Sequence, residues 1–225
     1  MSTNSFLAKL LRFIGIVLMA LTGGFTLLGG VGTTCAALAP TKYDSMKALA
    51  PFQWLYLIFV LAGIVIGIWG IWSTVKLVRG TPDSYRMSLQ ALVAGVLTGG
   101  FHIFMSRMLR GKSMPVDAVV YTTIFTLVIF LLFKIPGIWQ GVDFTKAKAS
   151  DSKKAGGTAA IAVGLLTLTI QYTMGPTHTW GSFNYADAFN TSMTLIGIGL
   201  LLLGTGIFVN VGHIKRAALK LQVQE

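Results

Sequence analysis

The chain has 225 residues, of which 54% are hydrophobic and only 11% are charged. Soluble domains carry roughly 25% charged residues, so a soluble protein of this composition would expose large apolar patches. The net charge of +11 fits the Lys and Arg that hold cytoplasmic loops of a membrane protein better than it fits a nucleic-acid footprint.

Six apolar blocks run through the chain, and none has an Asp, Glu, Lys or Arg in its interior. An ion at the bilayer midplane costs several kcal/mol, so this segregation is what a lipid environment selects. The blocks predict an all-α polytopic membrane protein, a bundle of six transmembrane helices in a single integral membrane domain. The first span is read at 13–34, after Lys9 and Arg12. Ala37-Leu38-Ala39 has the form of a signal-peptidase site, but the apolar run before it exceeds an ordinary signal-peptide core, and a retained helix is expected. A loop bounded by Pro40 and Pro51 leads to the second span, 54–75, with Trp54 and Tyr56 at one end and Trp69 and Trp72 at the other, like the two aromatic belts of a membrane. A short basic turn through Lys76, Arg79 and Gly80 precedes the third span, 87–105.

The next connection holds Arg107, Arg110 and Lys112, with Ser113 as the expected N-cap of the fourth span, 116–135. A polar stretch, 143–157, carries four lysines and reads as the flexible linker. The fifth span, 158–174, is the shortest, and a connection without Lys or Arg leads to the sixth, 191–211. Counting Lys and Arg puts thirteen on the side of both termini and five on the other. This predicts cytoplasmic N- and C-termini, in a bacterial inner membrane or a plasma membrane.

Small residues recur at spacings that let helices approach closely. Thr22, Thr26, Gly30 and Thr34 share one row of the first span, Gly63 and Gly67 form G-x-x-x-G in the second, and Ala91, Gly95 and Gly99 repeat it in the third. Lipid tails are as apolar as Leu, so membrane helices associate by such close packing. These faces are expected to meet mostly within the chain, with association with itself or other membrane subunits as the alternative.

His102 is the one histidine within a span, toward its non-cytoplasmic end. An intramembrane ionisable residue is a functional candidate by default, although a histidine satisfied by Thr or backbone partners is the plainer account. The expected topology sets Tyr121, Thr122, Gln171 and Tyr172 at similar depth, as a polar pocket in the outer leaflet. Arg107, Arg110 and Lys112 break the positive-inside trend and are candidates to contact anionic lipid, a ligand or a partner, with Asp117 available to pair with any of them. His178, beside Trp180, makes a two-histidine haem b or metal site with His102 conceivable but weak, because His178 reads as loop. Hydrolase, P-loop and C-x-x-C signatures are absent. No span interior carries a carboxylate, which argues against a standard proton- or sodium-coupled transporter. The expected function is therefore a non-enzymatic membrane subunit or accessory protein without catalytic residues or a resident metal. A small transporter or channel with an outer vestibule comes second, and a haem- or quinone-binding redox subunit third.

Overall fold

Helix α1 (Phe6–Gly32) begins where Ser5 caps it, its Oγ accepting the Ala8 N–H at 3.2 Å. That start lies seven residues before the expected edge of the first span, because the cap and the amphipathic turn after it extend the helix into the charged tail. The computed structural model describes residues 1–180, 183, 184, 187 and 190–222; the side chains of 171, 174, 176–178, 180, 183 and 211–222 fall outside the described set. The chain divides into two compact units, Met1–Ala147 and Lys148–Glu225.

In the first unit, α1 is followed by the short α2 (Thr34–Leu38) and two 3₁₀ segments, Pro40–Lys42 and Asp44–Phe52. Then come α3 (Gln53–Arg79), α4 (Ser84–Arg110), α5 (Val116–Phe133) and the one-turn α6 (Trp139–Val142). Left-handed glycines, Gly80 at φ 66° and Gly111 at φ 69°, end α3 and α4. Around the bundle α1 touches α3, α3 touches α4, α4 touches α5, and α5 returns to α1. This is an up-down-up-down four-helix arrangement.

Its registers follow a seven-residue rule. On the α1–α3 contact Gly23 lies against Gly70 and Gly30 against Gly63; a Cβ on Gly30 would stand 2.7 Å from the Ile64 nitrogen, and one on Gly67 would stand 2.5 Å from the Leu27 nitrogen. On the α1–α5 contact Gly15 meets Phe133, Thr22 meets Thr126 and Gly29 meets Val119. Residues recurring every seven positions stay on one seam when two helices wrap left-handedly. A strict i+4 row drifts around the helix. Thr22 and Gly30, expected on one face, accordingly serve different neighbours: Thr22 faces α5 and Gly30 faces α3. Gly95 and Gly99 both face α5, at Thr123 and Val120. Thr34 lies beyond the end of α1.

The surface is strongly apolar, and the interior mixes apolar side chains such as Ile16, Leu92 and Phe130 with small hydroxyl ones. Leu61, Val65, Leu97, Phe104, Phe125 and Leu131 are exposed, while Thr22, Ser73, Ser88, Ser106, Thr123 and Thr126 are buried. Three of these hydroxyls are satisfied within their own helix: Ser73 donates to Trp69 O, Ser88 to Ser84 O and Thr123 to Val119 O, each at 2.7–2.8 Å, while Thr22 bonds to Thr126 and Ser106 to Tyr56 across helices. Small hydroxyl side chains inside and bulky apolar ones outside are what close packing in a lipid solvent favours. Among the described residues five segments are helices long and apolar enough to cross a membrane: Phe6–Leu38, Asp44–Arg79, Ser84–Arg110, Val116–Phe133 and Asn190–Asn210.

The second unit is a pair of helices, α7 (Ala149–His178) and α8 (Asn190–Gln222). Between them Thr179–Trp180 (β1) pairs antiparallel with Phe183–Asn184 (β2). α7 spans 30 residues but is not among the segments apolar enough to cross. Its first turns hold Asp151, Lys153 and Lys154, and its later turns Thr167, Thr169, Gln171 and Thr173. The expected flexible linker is shorter than the composition implied. Its second half is helical from Ala149, and Gly157 packs against Gly204 of α8, as Gly164 does against Gly197.

Candidate functional site

The loop side of α3 and α4 carries the residues that the sequence singled out. α4 places His102, Ser106 and Arg110 at i, i+4 and i+8, one above another on one face. His102 is buried, lying flat on the Phe59 ring at 4.4 Å between centroids and meeting the Tyr56 ring edge-on at 5.3 Å. Tyr56 is fixed in turn by a 2.8 Å hydrogen bond between its hydroxyl and Ser106 Oγ. The imidazole therefore sits on an aromatic shelf supplied by α3, and its ring nitrogens have no hydrogen-bond partner among the described residues. Below it Leu49, Leu55, Tyr56, Phe59 and Met105 form an apolar cluster with Ala36 and Ala37 of α2. The 3₁₀ segment that contributes Leu49 thus closes this end of the bundle, where the sequence suggested only a loop.

Arg107 and Arg110, three residues apart, have different fates. Arg107 Nε donates to Ser113 Oγ at 2.9 Å, and its Nη2 reaches Asp117 Oδ1 at 3.3 Å and the Tyr121 hydroxyl at 3.4 Å. Ser113 Oγ donates to the same Asp117 oxygen at 2.7 Å. Asp117, in the first turn of α5 where a carboxylate also complements the helix dipole, thus chooses Arg107 from the three available cations. Ser113 is not the side-chain cap of α5: the N-cap residue is Pro115, and the serine hydroxyl is spent on Asp117. Arg110 has no such partners. Its Nε is buried without a hydrogen-bond acceptor, and no carboxylate pairs with it among the described residues. Lys112 is exposed just past Gly111.

The other expected members separate from this cluster. Thr122 is half-buried and donates to Ala118 O of its own helix at 2.8 Å. Tyr172 is exposed on α7, in the second unit. The side chains of Gln171 and His178 lie outside the described residues, so the expected pocket and the two-histidine arrangement fall there. Among the described residues no three His, Cys, Asp or Glu side chains group to hold a metal ion. A cavity of about 10 Å³ lies inside the first unit, lined by Met19, Thr22, Thr26, Leu92 and Thr123 among others. That is room for about one water.

No protein-family model, curated protein or solved structure matches the chain.

A second polar constellation sits at the opposite end of the first unit, where the sequence offered only charge to count. Arg12 is buried, with Nη1 donating to Gly141 O at 2.6 Å and Nη2 to Thr3 O at 2.8 Å. The Met1 amino group donates to Gly137 O at 2.8 Å. Lys134 lies over the Trp139 ring at 3.9 Å and over Tyr85 at 4.8 Å. A guanidinium with its donors on main-chain carbonyls is a fastener: it ties the N-terminal segment to the turn around α6. The sequence signal was Arg12 directly before an apolar run, which also describes any ordinary loop charge.

Proposed function

We propose that the chain is a non-enzymatic multi-pass membrane protein, a subunit or accessory protein that works by packing against other membrane components. In this reading it has six spans in one membrane domain, α7 among them. Both termini face the cytoplasm of a bacterial inner membrane or plasma membrane, as the distribution of Lys and Arg favours. The observation that carries the proposal is how the first unit spends its interior. Its seams are filled by glycine against backbone, and most of its buried hydroxyls are paired with one another or with main-chain carbonyls, Arg110 at the end of α4 being the exception taken up below. Residues so committed serve cohesion. A substrate path or cofactor pocket calls instead for unspent polar groups around a sizeable cavity. The basic turn after α4 is the surface through which lipid or partner contact is made, with His102 buried on its aromatic shelf two turns before it.

Gentle detergent extraction followed by affinity purification of the full chain tests this. A stoichiometric membrane partner that copurifies is the expected result. A chain that purifies alone and by itself supports substrate flux in proteoliposomes overturns it in favour of transport. A purified sample with a Soret band overturns it in favour of the haem-binding alternative.

A further inference from the structure

The contrast between Arg107 and Arg110 marks a place for an anion. A charged donor held out of water costs more than a neutral one when it has no acceptor. Arg107 does not meet that cost, because it is exposed and its donors reach Ser113, Asp117 and Tyr121. Arg110 does: its Nε is buried and unaccepted. The one carboxylate of this turn is taken by Arg107 and Ser113. Ser106, one turn back on the same face, is held by Tyr56. The helix C-terminus offers Arg110 a favourable dipole, but a weak one that supplies no hydrogen-bond acceptor to its Nε. Past Gly111, Lys112 adds a second, exposed cation, and among the described residues no carboxylate pairs with it or with Arg110, so two positive groups flank one turn without a counter-charge.

We propose that Arg110 and Lys112 form a binding site for a phosphate group, either the phosphodiester of an anionic lipid headgroup or a free phosphate. A guanidinium presents paired N–H donors that match phosphate oxygens, and an ammonium adds a point charge beside it. The site rests on the membrane reading above, which sets the end of α4 at headgroup depth. Arg107 is excluded from it, because its charge is already answered by Asp117.

The test uses the full chain, purified in detergent and stripped of lipid. Phosphatidylglycerol, phosphatidylcholine or inorganic phosphate is then added, and bound copies are counted by native mass spectrometry. The wild type is expected to retain phosphatidylglycerol over phosphatidylcholine. A juxtamembrane cation contributes roughly 1 kcal/mol to anionic-lipid attraction, so R110Q/K112Q lowers that retention by about tenfold or more. R107Q leaves it within about twofold. Displacement of the lipid by millimolar inorganic phosphate assigns the site to the free anion; failure to displace it assigns the site to the headgroup, and either result supports it. Equal retention by wild type and R110Q/K112Q overturns the inference, as does an R107Q loss as large as that of the double variant. Should R110Q/K112Q fail to fold, R110K decides: it keeps the charge but loses the planar fork, and unchanged retention there overturns a guanidinium-centred site. Recovery of the chain in the soluble fraction would instead sink the membrane reading on which the site rests.

Discussion

The α1–α3 contact and the α7–α8 contact are built to the same rule in different surroundings. In the first, Gly23 and Gly30 oppose Gly70 and Gly63; in the second, Gly157 and Gly164 oppose Gly204 and Gly197. All four helices place their glycines seven residues apart, and in both pairs an added Cβ meets main-chain atoms of the partner. The difference is what lies behind the seam. α1 has a second seam, Gly15, Thr22 and Gly29 against α5, and α3 is backed by α4. Within the second unit α7 and α8 have only each other. A helix gripped on two sides cannot retreat from an intruding methyl group, whereas a paired helix can. Equal local geometry should therefore carry unequal energetic weight.

The largest expected effect comes from breaking that equality directly. In Gly30→Ala the new Cβ stands 2.7 Å from Ile64 N and 2.8 Å from Gly63 C, both main-chain atoms of a helix backed on its other side. A loss of about 3 kcal/mol is expected, the upper end for overpacking. In Gly164→Ala the new Cβ stands 2.9 Å from Gly197 O and 3.1 Å from Leu200 Cβ. Separation of the pair absorbs part of this, leaving about 1 kcal/mol. Chemical unfolding of both variants in one detergent decides the matter, and equal losses would remove the argument from double gripping.

Charged groups extend the comparison. Arg12 in the first unit is buried on Gly141 O and Thr3 O, while Lys153 in the second is exposed in the first turns of α7. Arg12→Met strips charged donors from carbonyls inside the fold and is expected to cost about 2–3 kcal/mol. Lys153→Met is expected to stay within about 0.5 kcal/mol, as surface changes do. Thermal unfolding of the two variants measures both. A silent Arg12→Met would show that the N-terminal fastener contributes nothing.

Threonines give a finer contrast. Thr22 and Thr126 share a buried 2.8 Å hydrogen bond between helices. Thr167 of α7 donates to Val163 O of its own helix. A double-mutant cycle on Thr22→Ala and Thr126→Ala should give a coupling near 0.6 kcal/mol, the usual size for such bonds between membrane helices. A cycle pairing Thr167→Ala with Thr205→Ala, whose hydroxyls are likewise spent on their own helix, should give none. Coupling of the same size in both cycles would mean that the hydroxyl bond does not join α1 to α5 in any energetic sense.

Much of the helical layout was legible because charge is so costly in lipid that it punctuates the chain at the span ends. Gly63, Gly67, Gly95 and Gly99 were legible as packing positions for the same reason that G-x-x-x-G is common. The sevenfold registers were not, since a seam appears only once two helices are laid antiparallel, and neither helix alone names its partner. Gly157 was read into a linker because Lys153 and Lys154 precede it; the lysines mark an end of α7, while the glycine faces α8. At the candidate site His102 stood out as an ionisable residue in an apolar block. Its shelf did not, because Phe59 is an ordinary apolar residue on another helix. The split between Arg107 and Arg110 was also hidden, for it depends on which of three adjacent cations Asp117 can reach across the turn.

The smallest expected effect lies where the first unit ends. Asp143 Oδ1 accepts the Thr145 N–H at 3.1 Å and its hydroxyl at 2.7 Å, and Oδ2 faces Lys146 Nζ at 3.3 Å. Partial burial pushes the Asp143 carboxyl up, but the Thr145 hydroxyl and amide together with Lys146 pull it further down, so its net shift is downward. A carboxyl that titrates lower in the fold than in the unfolded chain, where Asp lies near 3.9, leaves the unfolded state holding more protons as the solution is acidified. Stability then rises with pH through that window. The contribution of Asp143 is fully present above about pH 5 and is lost as pH falls through its folded value. Asp143→Asn keeps the size of the side chain and removes the titration. The stability difference between wild type and Asp143→Asn should therefore be small near neutrality and shrink further on acidification. A difference that instead grows as pH falls would mean that this turn is held by something other than the carboxylate, and that the first unit does not end in the cap Asp143 makes.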